Sequence, residues 1–270
     1  MSFDYYKNLK ESGAYFVSHE TTFSEYTKRL GYHKLLARSL KKRKIDFSKV
    51  LEIGGGIGSL KRELIQESNF FVSLDLSLGL LGQQSVFGRN NVLGNALKLP
   101  FKDEVFSFII LNEVIADFIP KDLPALIKEL RRVLIKGGKI FLSEYGEGES
   151  KKVVLKGHTE YSVDFEKLTR ISEGLGFKTS IEGLMSFIKL KDDLVVSQKG
   201  VQALIEKGFD RRMGEFIPLK SLKLEERLYL TKISEYQALE EGKLVSKKKN
   251  FYHNISALGD QFKAVLLELS

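Results

Sequence analysis

The chain has 270 residues, 43% of them hydrophobic, a formal net charge of +8 and no cysteine. That is enough apolar material for one large domain carrying an appendage, and it excludes disulfides and thiolate metal sites. Four scattered histidines, His19, His33, His158 and His253, show no ligand spacing, so no metal is expected.

The amino-terminal stretch MSFDYYKNLK lacks the apolar core of a signal peptide, and no uncharged run reaches the roughly 18 to 20 residues that span a bilayer. The chain therefore reads by default as soluble and cytoplasmic, with no membrane partner. The positive charge is concentrated in residues 1–46, with Lys41-Lys42-Arg43-Lys44, and in residues 191–255, with Lys247-Lys248-Lys249. These runs lack interleaved aromatic residues, so a solvated basic surface is favoured over a nucleic-acid partner.

Residues 1–46 read as a helical cap. Thr22 and Glu25 have capping-box spacing, Phe23, Tyr26, Leu30, Leu36 and Leu40 recur near the helical period, and Gly31 divides the pattern. The aromatic stretch before it, Phe3 to Phe16, is expected to pack on the core, with a substrate lid as the second reading.

At Val50 the pattern changes. VLEIGGGIGSL runs a short apolar strand into Glu52, a glycine cluster (Gly54, Gly56, Gly58) and a helix starting near Ser59. Glycines at such positions permit positive φ and let a ligand lie against the main chain, and the helix start offers N–H groups to polar ligand atoms. FFVSLDLS follows as a buried strand ending in Asp75. Asp75 lies 17 positions after Gly58 and 23 after Glu52, close to the roughly 20-residue spacing at which a carboxylate meets the vicinal hydroxyls of a ribose.

The alternation continues through the short strand-loop VLGNALKLPF, the apolar strand VFSFIILNEV ending at Asn112 and Glu113, the amphipathic helix DLPALIKELRRVLIKGG with Gly137-Gly138 as its stop, and the strand KIFLSEY. GEGESKK is a loop, Asp164 caps FEKLTRISEGLGF, and a strand is expected around Thr179 to Ile188. Residues 191–255 carry helical patterns, and QFKAVLLEL closes as a last strand. The expected fold is α/β: a doubly wound, Rossmann-like, seven-stranded and mostly parallel sheet with N-terminal helices and a helical insertion before the last strand. The domain division is 1–46 cap, 47–190 plus 256–270 cofactor-binding domain, and 191–255 insertion.

The ordered motifs resemble those of the class I S-adenosylmethionine-dependent methyltransferases. Glu52-Ile-Gly54-Gly-Gly56-Ile-Gly58 matches that family's E/D-x-G-x-G-x-G, Asp75 its acid after strand two, Gly94-Asn95-Ala96 with Leu99-Pro100-Phe101 its G-D-A and L-P-F, and RRVLIKGGKIFLSE its fifth strand. A dinucleotide-binding dehydrogenase would need G-x-G-x-x-G, and here the third glycine comes one position early.

The resemblance implies S-adenosylmethionine as cofactor. The Gly54 to Gly58 loop would lie against its methionine portion and ribose, supported by Glu52. Asp75 would take the ribose hydroxyls, Asn95 the adenine amino group, and Leu76 and Ala96 the adenine faces, with Asn112 beside the cofactor. Asn95 stands where the family usually has Asp. Candidates for contact with the acceptor are Asn112 and Glu113 after strand four and Glu144 and Tyr145 after strand five, with Glu113, Asn112 and Tyr145 as the candidate catalytic set. A fainter resemblance to the MidA-like protein arginine methyltransferase branch rests on LNEVIADFIP, SEYGEGES, HTEYSVDFEKL and LGDQFKAVLLEL. The expected activity is methyl transfer to a small molecule or a protein side chain, with a non-catalytic scaffold binding a protein or RNA as the alternative.

Overall fold

The computed structural model describes residues 33, 36–56, 58–145, 152–155, 158–183 and 262–270. The capping box at Thr22, the break at Gly31, the aromatic stretch 3–16 and the expected insertion 191–255 lie outside the described residues.

Seven strands form one sheet: β1 (Lys49–Ile53), β2 (Phe70–Asp75), β3 (Asn91–Leu93), β4 (Phe106–Asn112), β5 (Leu134–Tyr145), β8 (Phe177–Gly183) and β9 (Phe262–Leu269). The spatial order is β3-β2-β1-β4-β5-β9-β8. The pairs among β1 to β5 are parallel, whereas β9 runs antiparallel to both β5 and β8. The chain reverses its direction of travel across the sheet between β1 and β4, and that switch point is where open α/β sheets hold their ligands.

The central strands are near-continuous apolar runs because both of their faces are covered. Leu51, Ile53, Ile109 and Leu111 face one core layer, with Leu126, Ile127 and Leu130 of α3 (Leu123–Val133) and Leu168 of α4 (Phe165–Gly174). Val50, Phe108, Ile110 and Phe141 face the other, with Leu60 and Leu64 of α1 (Ser59–Leu64) and Leu36, Ala37 and Leu40 of the helical residues 36–41. α2 (Leu78–Gln84) follows β2.

α3 buries Leu123, Leu126, Ile127, Leu130 and Val133, one stripe at the helical period, and carries proline in its first turn, where the missing N–H costs nothing. Its end differs from the sequence expectation. The helix stops at Val133, ahead of Gly137-Gly138, because Leu134 already takes extended geometry and pairs with Phe106. The register then shifts, so that Phe108 pairs with Lys139, and Gly137, at φ 75°, lies within that irregularity. Asp164 caps α4 as expected, accepting from the Lys167 amide at 2.9 Å.

β8 begins at Phe177, two residues ahead of the expected start, and the expected stretch beyond Gly183 lies outside the described residues. Two short strands, β6 (Lys152–Leu155) and β7 (His158–Tyr161), form a separate antiparallel pair that four-residue patterns did not announce. Among the described residues no helix is long and apolar enough to cross a membrane.

Candidate functional site

The carboxyl ends of β1, β2 and β4 enclose a cavity of about 600 Å³, part of it open to solvent. Its walls include Ile53, Gly54 and Gly56 from the glycine loop, Leu74, Asp75 and Leu76 from the end of β2, and Ala96 beyond β3. Glu113, Val114, Asp117 and Phe118 from the loop after β4 complete it.

The loop owes its shape to its glycines. Gly54, Gly56 and Gly58 have φ of 65°, 55° and 81°, values that L side chains rarely adopt. A Cβ on Gly54 would also lie 2.6 Å from Val114 Cγ2. The Gly54 amide donates to Leu74 O at 2.8 Å, and the Gly56 amide to Asp75 Oδ2 at 3.1 Å, so the loop is fastened to the end of β2. Gln84 of α2 fastens it from below: its Nε2 donates to Gly56 O at 2.7 Å.

Asp75 is 6% exposed, and its Oδ1 accepts from the Ser77 amide at 2.9 Å. Burial pushes its carboxyl from 3.8 up to about 6, although the amides of Ser77, Gly56 and Leu76 pull the other way. A carboxylate oriented in this way by backbone amides keeps lone-pair capacity for ribose hydroxyls.

Glu52 lies beneath the loop. Ser73 Oγ donates to its Oε2 at 3.0 Å, and burial raises its carboxyl to about 7 against the opposing effects of Ser73 and Lys61. Lys61 is fully buried, with Nζ donating to Asn91 Oδ1 at 2.6 Å; burial lowers its pKa, and Glu52 partly offsets this.

The structure brings Gly54, Gly56, Asp75, Leu76, Ala96 and Glu113 together around the cavity. Gly58 stands behind it as the N-cap of α1, and Glu52 supports the loop without lining the space. Asn95 is exposed outside the lining, and its Oδ1 accepts from the Leu97 amide at 2.9 Å, closing its own turn. Asn112 sits at the end of β4 outside the lining, where its Oδ1 accepts from Ser143 Oγ at 2.7 Å. Glu113 has φ 57°, and its amide donates to Ser143 O at 2.9 Å. Glu144 is buried, and its Oε2 accepts from the Ala116 amide at 3.2 Å. Tyr145 pairs through its backbone with Phe262, while its side chain lies outside the described residues.

Sequence reading missed Val114, Asp117 and Phe118 as walls and Gln84 as a strap. The first three lie in or beside a single turn, Ile115–Asp117, too short to show periodicity, and Gln84 reaches the loop from 28 positions away.

A family model described as a methyltransferase domain matches residues 51–142. The demethylmenaquinone methyltransferase of Corynebacterium urealyticum is 29% identical over 113 residues, covering 41% of this chain and 48% of that protein. The bifunctional biotin-biosynthesis protein BioHC of Cellvibrio japonicus is 33% identical over 107 residues, covering 38% of this chain and 21% of that protein. The matched part thus spans about half the length of these curated relatives or less. Among solved structures, phosphoethanolamine N-methyltransferase 2 of Haemonchus contortus, in complex with S-adenosyl-L-methionine, superposes with a TM-score of 0.54 at 14% identity, covering 100% of this chain and 60% of that one. That likeness shows the fold. Residues 51–142 thus carry a methyltransferase domain, and the motifs at the sheet ends are similar to those of the class I S-adenosylmethionine-dependent methyltransferase superfamily.

Proposed function

We propose that the chain binds S-adenosylmethionine in the cavity at the carboxyl ends of β1, β2 and β4 and transfers its methyl group to a small-molecule acceptor. The observation that carries this reading is the joint placement of an open glycine loop and a buried carboxylate on one cavity. The residues present fit the group. Gly54 and Gly56 present bare main chain at positive φ to the cavity, Asp75 suits a ribose diol, and Leu74, Leu76, Ala96 and Phe118 offer apolar walls for an adenine.

When bound, S-adenosylmethionine supplies a methyl group already activated on a sulfonium, so no protein nucleophile is called for. The chain's own contribution is to bind, align and dry the site. Alignment of this kind can supply on the order of 7 to 11 kcal/mol, and the apolar walls exclude competing water. Glu113 lies on the cavity wall in a strained backbone conformation, which suits it to contact or deprotonate an acceptor. The small-molecule preference draws on the demethylmenaquinone methyltransferase relative, and a protein side chain is the competing acceptor suggested by the fainter MidA-like resemblance.

The test is calorimetric titration with S-adenosylmethionine and S-adenosylhomocysteine, followed by transfer of labelled methyl into cell extract separated into small-molecule, protein and RNA pools. Binding with label in the small-molecule pool supports the reading. Label in the protein pool moves the acceptor to a side chain. Absence of binding overturns the enzyme and leaves a scaffold.

A further inference from the structure

Resting on that cofactor reading, we propose that His33, from the segment preceding the first strand, is a positioning residue for the methyl acceptor: it orients the Asn112 amide, and Asn112 contacts the acceptor.

His33, Leu36, Ala37 and Leu40 follow the i, i+3, i+4, i+7 spacing of one helix face. The last three are almost wholly buried in the core layer that also holds Phe108 and Ile110 of β4. The stripe reaches the carboxyl edge of the sheet at His33, which is 9% exposed, and there the apolar packing gives way to polar groups on both sides. Asn112 Nδ2 lies 3.3 Å from His33 Nε2, and Asn112 Oδ1 accepts from the fully buried Ser143 Oγ at 2.7 Å.

In this arrangement the amide donates to Nε2, which places the imidazole proton on Nδ1. A side-chain amide held at both ends cannot rotate, so its edge is fixed in direction. Apolar side chains would close this position without the desolvation cost of the buried His33 and Ser143 and the half-buried Asn112, and such polar contacts are retained where a unique geometry matters.

The location agrees with that role. Ile53 pairs with Leu111, so Asn112 stands level with the start of the glycine loop, and the next residue, Glu113, lines the cavity. Asn112 pairs with Ser143 across β4 and β5, and the Glu113 amide donates to Ser143 O. The ends of the two strands are thereby tied into one wall, to which His33 adds a contact from the chain's own amino-terminal region.

The experiment compares the full chain with His33→Gln, whose side-chain carbonyl can still accept from Asn112, and His33→Leu, which fills the space without accepting. Folding is checked by thermal unfolding and cofactor affinity by titration with S-adenosylhomocysteine. The rate is read as labelled methyl entering whichever extract pool the wild type labels. The expected result is unchanged S-adenosylhomocysteine affinity in both variants, a rate lowered on the order of 10²-fold in His33→Leu, and most of that rate restored in His33→Gln. If His33→Leu does not fold, Asn112→Ala breaks the same contact from the sheet side and is expected to reproduce the loss. A wild-type rate in His33→Leu overturns the proposal. So does a fall in affinity that matches the fall in rate, or a His33→Gln variant no faster than His33→Leu. A wild type that binds neither cofactor form overturns the cofactor reading itself, and the proposal with it.

Discussion

The backbone amide of Gly56 donates to Oδ2 of Asp75 at 3.1 Å, joining the glycine loop after β1 to the carboxylate that ends β2. Two segments separated by 19 positions thus form one surface, and the state of the carboxylate bears on the shape of the loop.

Asp75 makes cofactor binding depend on pH. Burial raises its carboxyl from 3.8 to about 6, and hydroxyl donors from a ribose favour the charged form and lower it again. Binding therefore releases protons near and below pH 6. S-adenosylhomocysteine affinity is expected to hold steady above about pH 6 and to weaken as the pH falls further. Titration calorimetry in buffers of different ionisation enthalpy reads the released protons directly. Asp75→Asn should bind more weakly and lose this pH dependence, and an unaltered profile would contradict the assignment.

Gly55 is constrained although it fills a variable position of the motif. A Cβ there would lie 2.5 Å from Glu52 Oε2 and 2.8 Å from its Cδ, where a buried carboxyl has little room to move. Gly55→Ala is expected to destabilise by about 1 to 3 kcal/mol and to weaken cofactor binding. The cost should shrink when Glu52 is also cut to Ala, which a double-mutant cycle measures. Gly82 of α2 is the control: nothing lies within 4 Å of its Cβ position, and Gly82→Ala should stabilise by about 0.4 to 1 kcal/mol.

Glu52 tunes stability with pH in the direction set by a raised acid. Its folded-state value of about 7 exceeds the ordinary 4.5, so the native protein keeps a proton that the unfolded chain releases between those values. Its contribution to stability therefore declines as pH rises from about 4.5 to about 7 and is level above. Glu52→Gln cannot titrate and still accepts from Ser73. Urea midpoints should show the variant gaining on the wild type by on the order of a few kcal/mol as pH rises through this window, and parallel profiles would refute the cause.

Arg132 secures the Leu99-Pro100-Phe101 segment to α3. Its guanidinium donates to Phe101 O at 2.8 Å, Leu99 O at 3.1 Å, Asp103 Oδ1 at 2.7 Å and both oxygens of Glu129, which in turn accepts from the Leu99 amide at 2.7 Å. Arg132→Ala is expected to cost about 1.5 to 3 kcal/mol in chemical denaturation. Arg132→Lys should recover little, because an ammonium cannot reach this fan of acceptors from one plane.

The amino-acid sequence by itself determined the strand and helix alternation from Val50 to Tyr145, the glycine loop, the acid at Asp75, the cap at Asp164 and the closing strand at Phe262–Leu269. Each is written in neighbouring residues, as apolar periodicity, glycine spacing or a capping side chain, and local chain chemistry suffices to read it. The tertiary structure decided the placement of β9 between β5 and β8, the early start of β5 at Leu134, the cavity wall formed by Val114, Asp117 and Phe118, and the meetings of Gln84 with Gly56 and of His33 with Asn112. These join residues that no shared period links, so they are set by which surfaces bury one another when the sheet assembles and are invisible until the chain is folded.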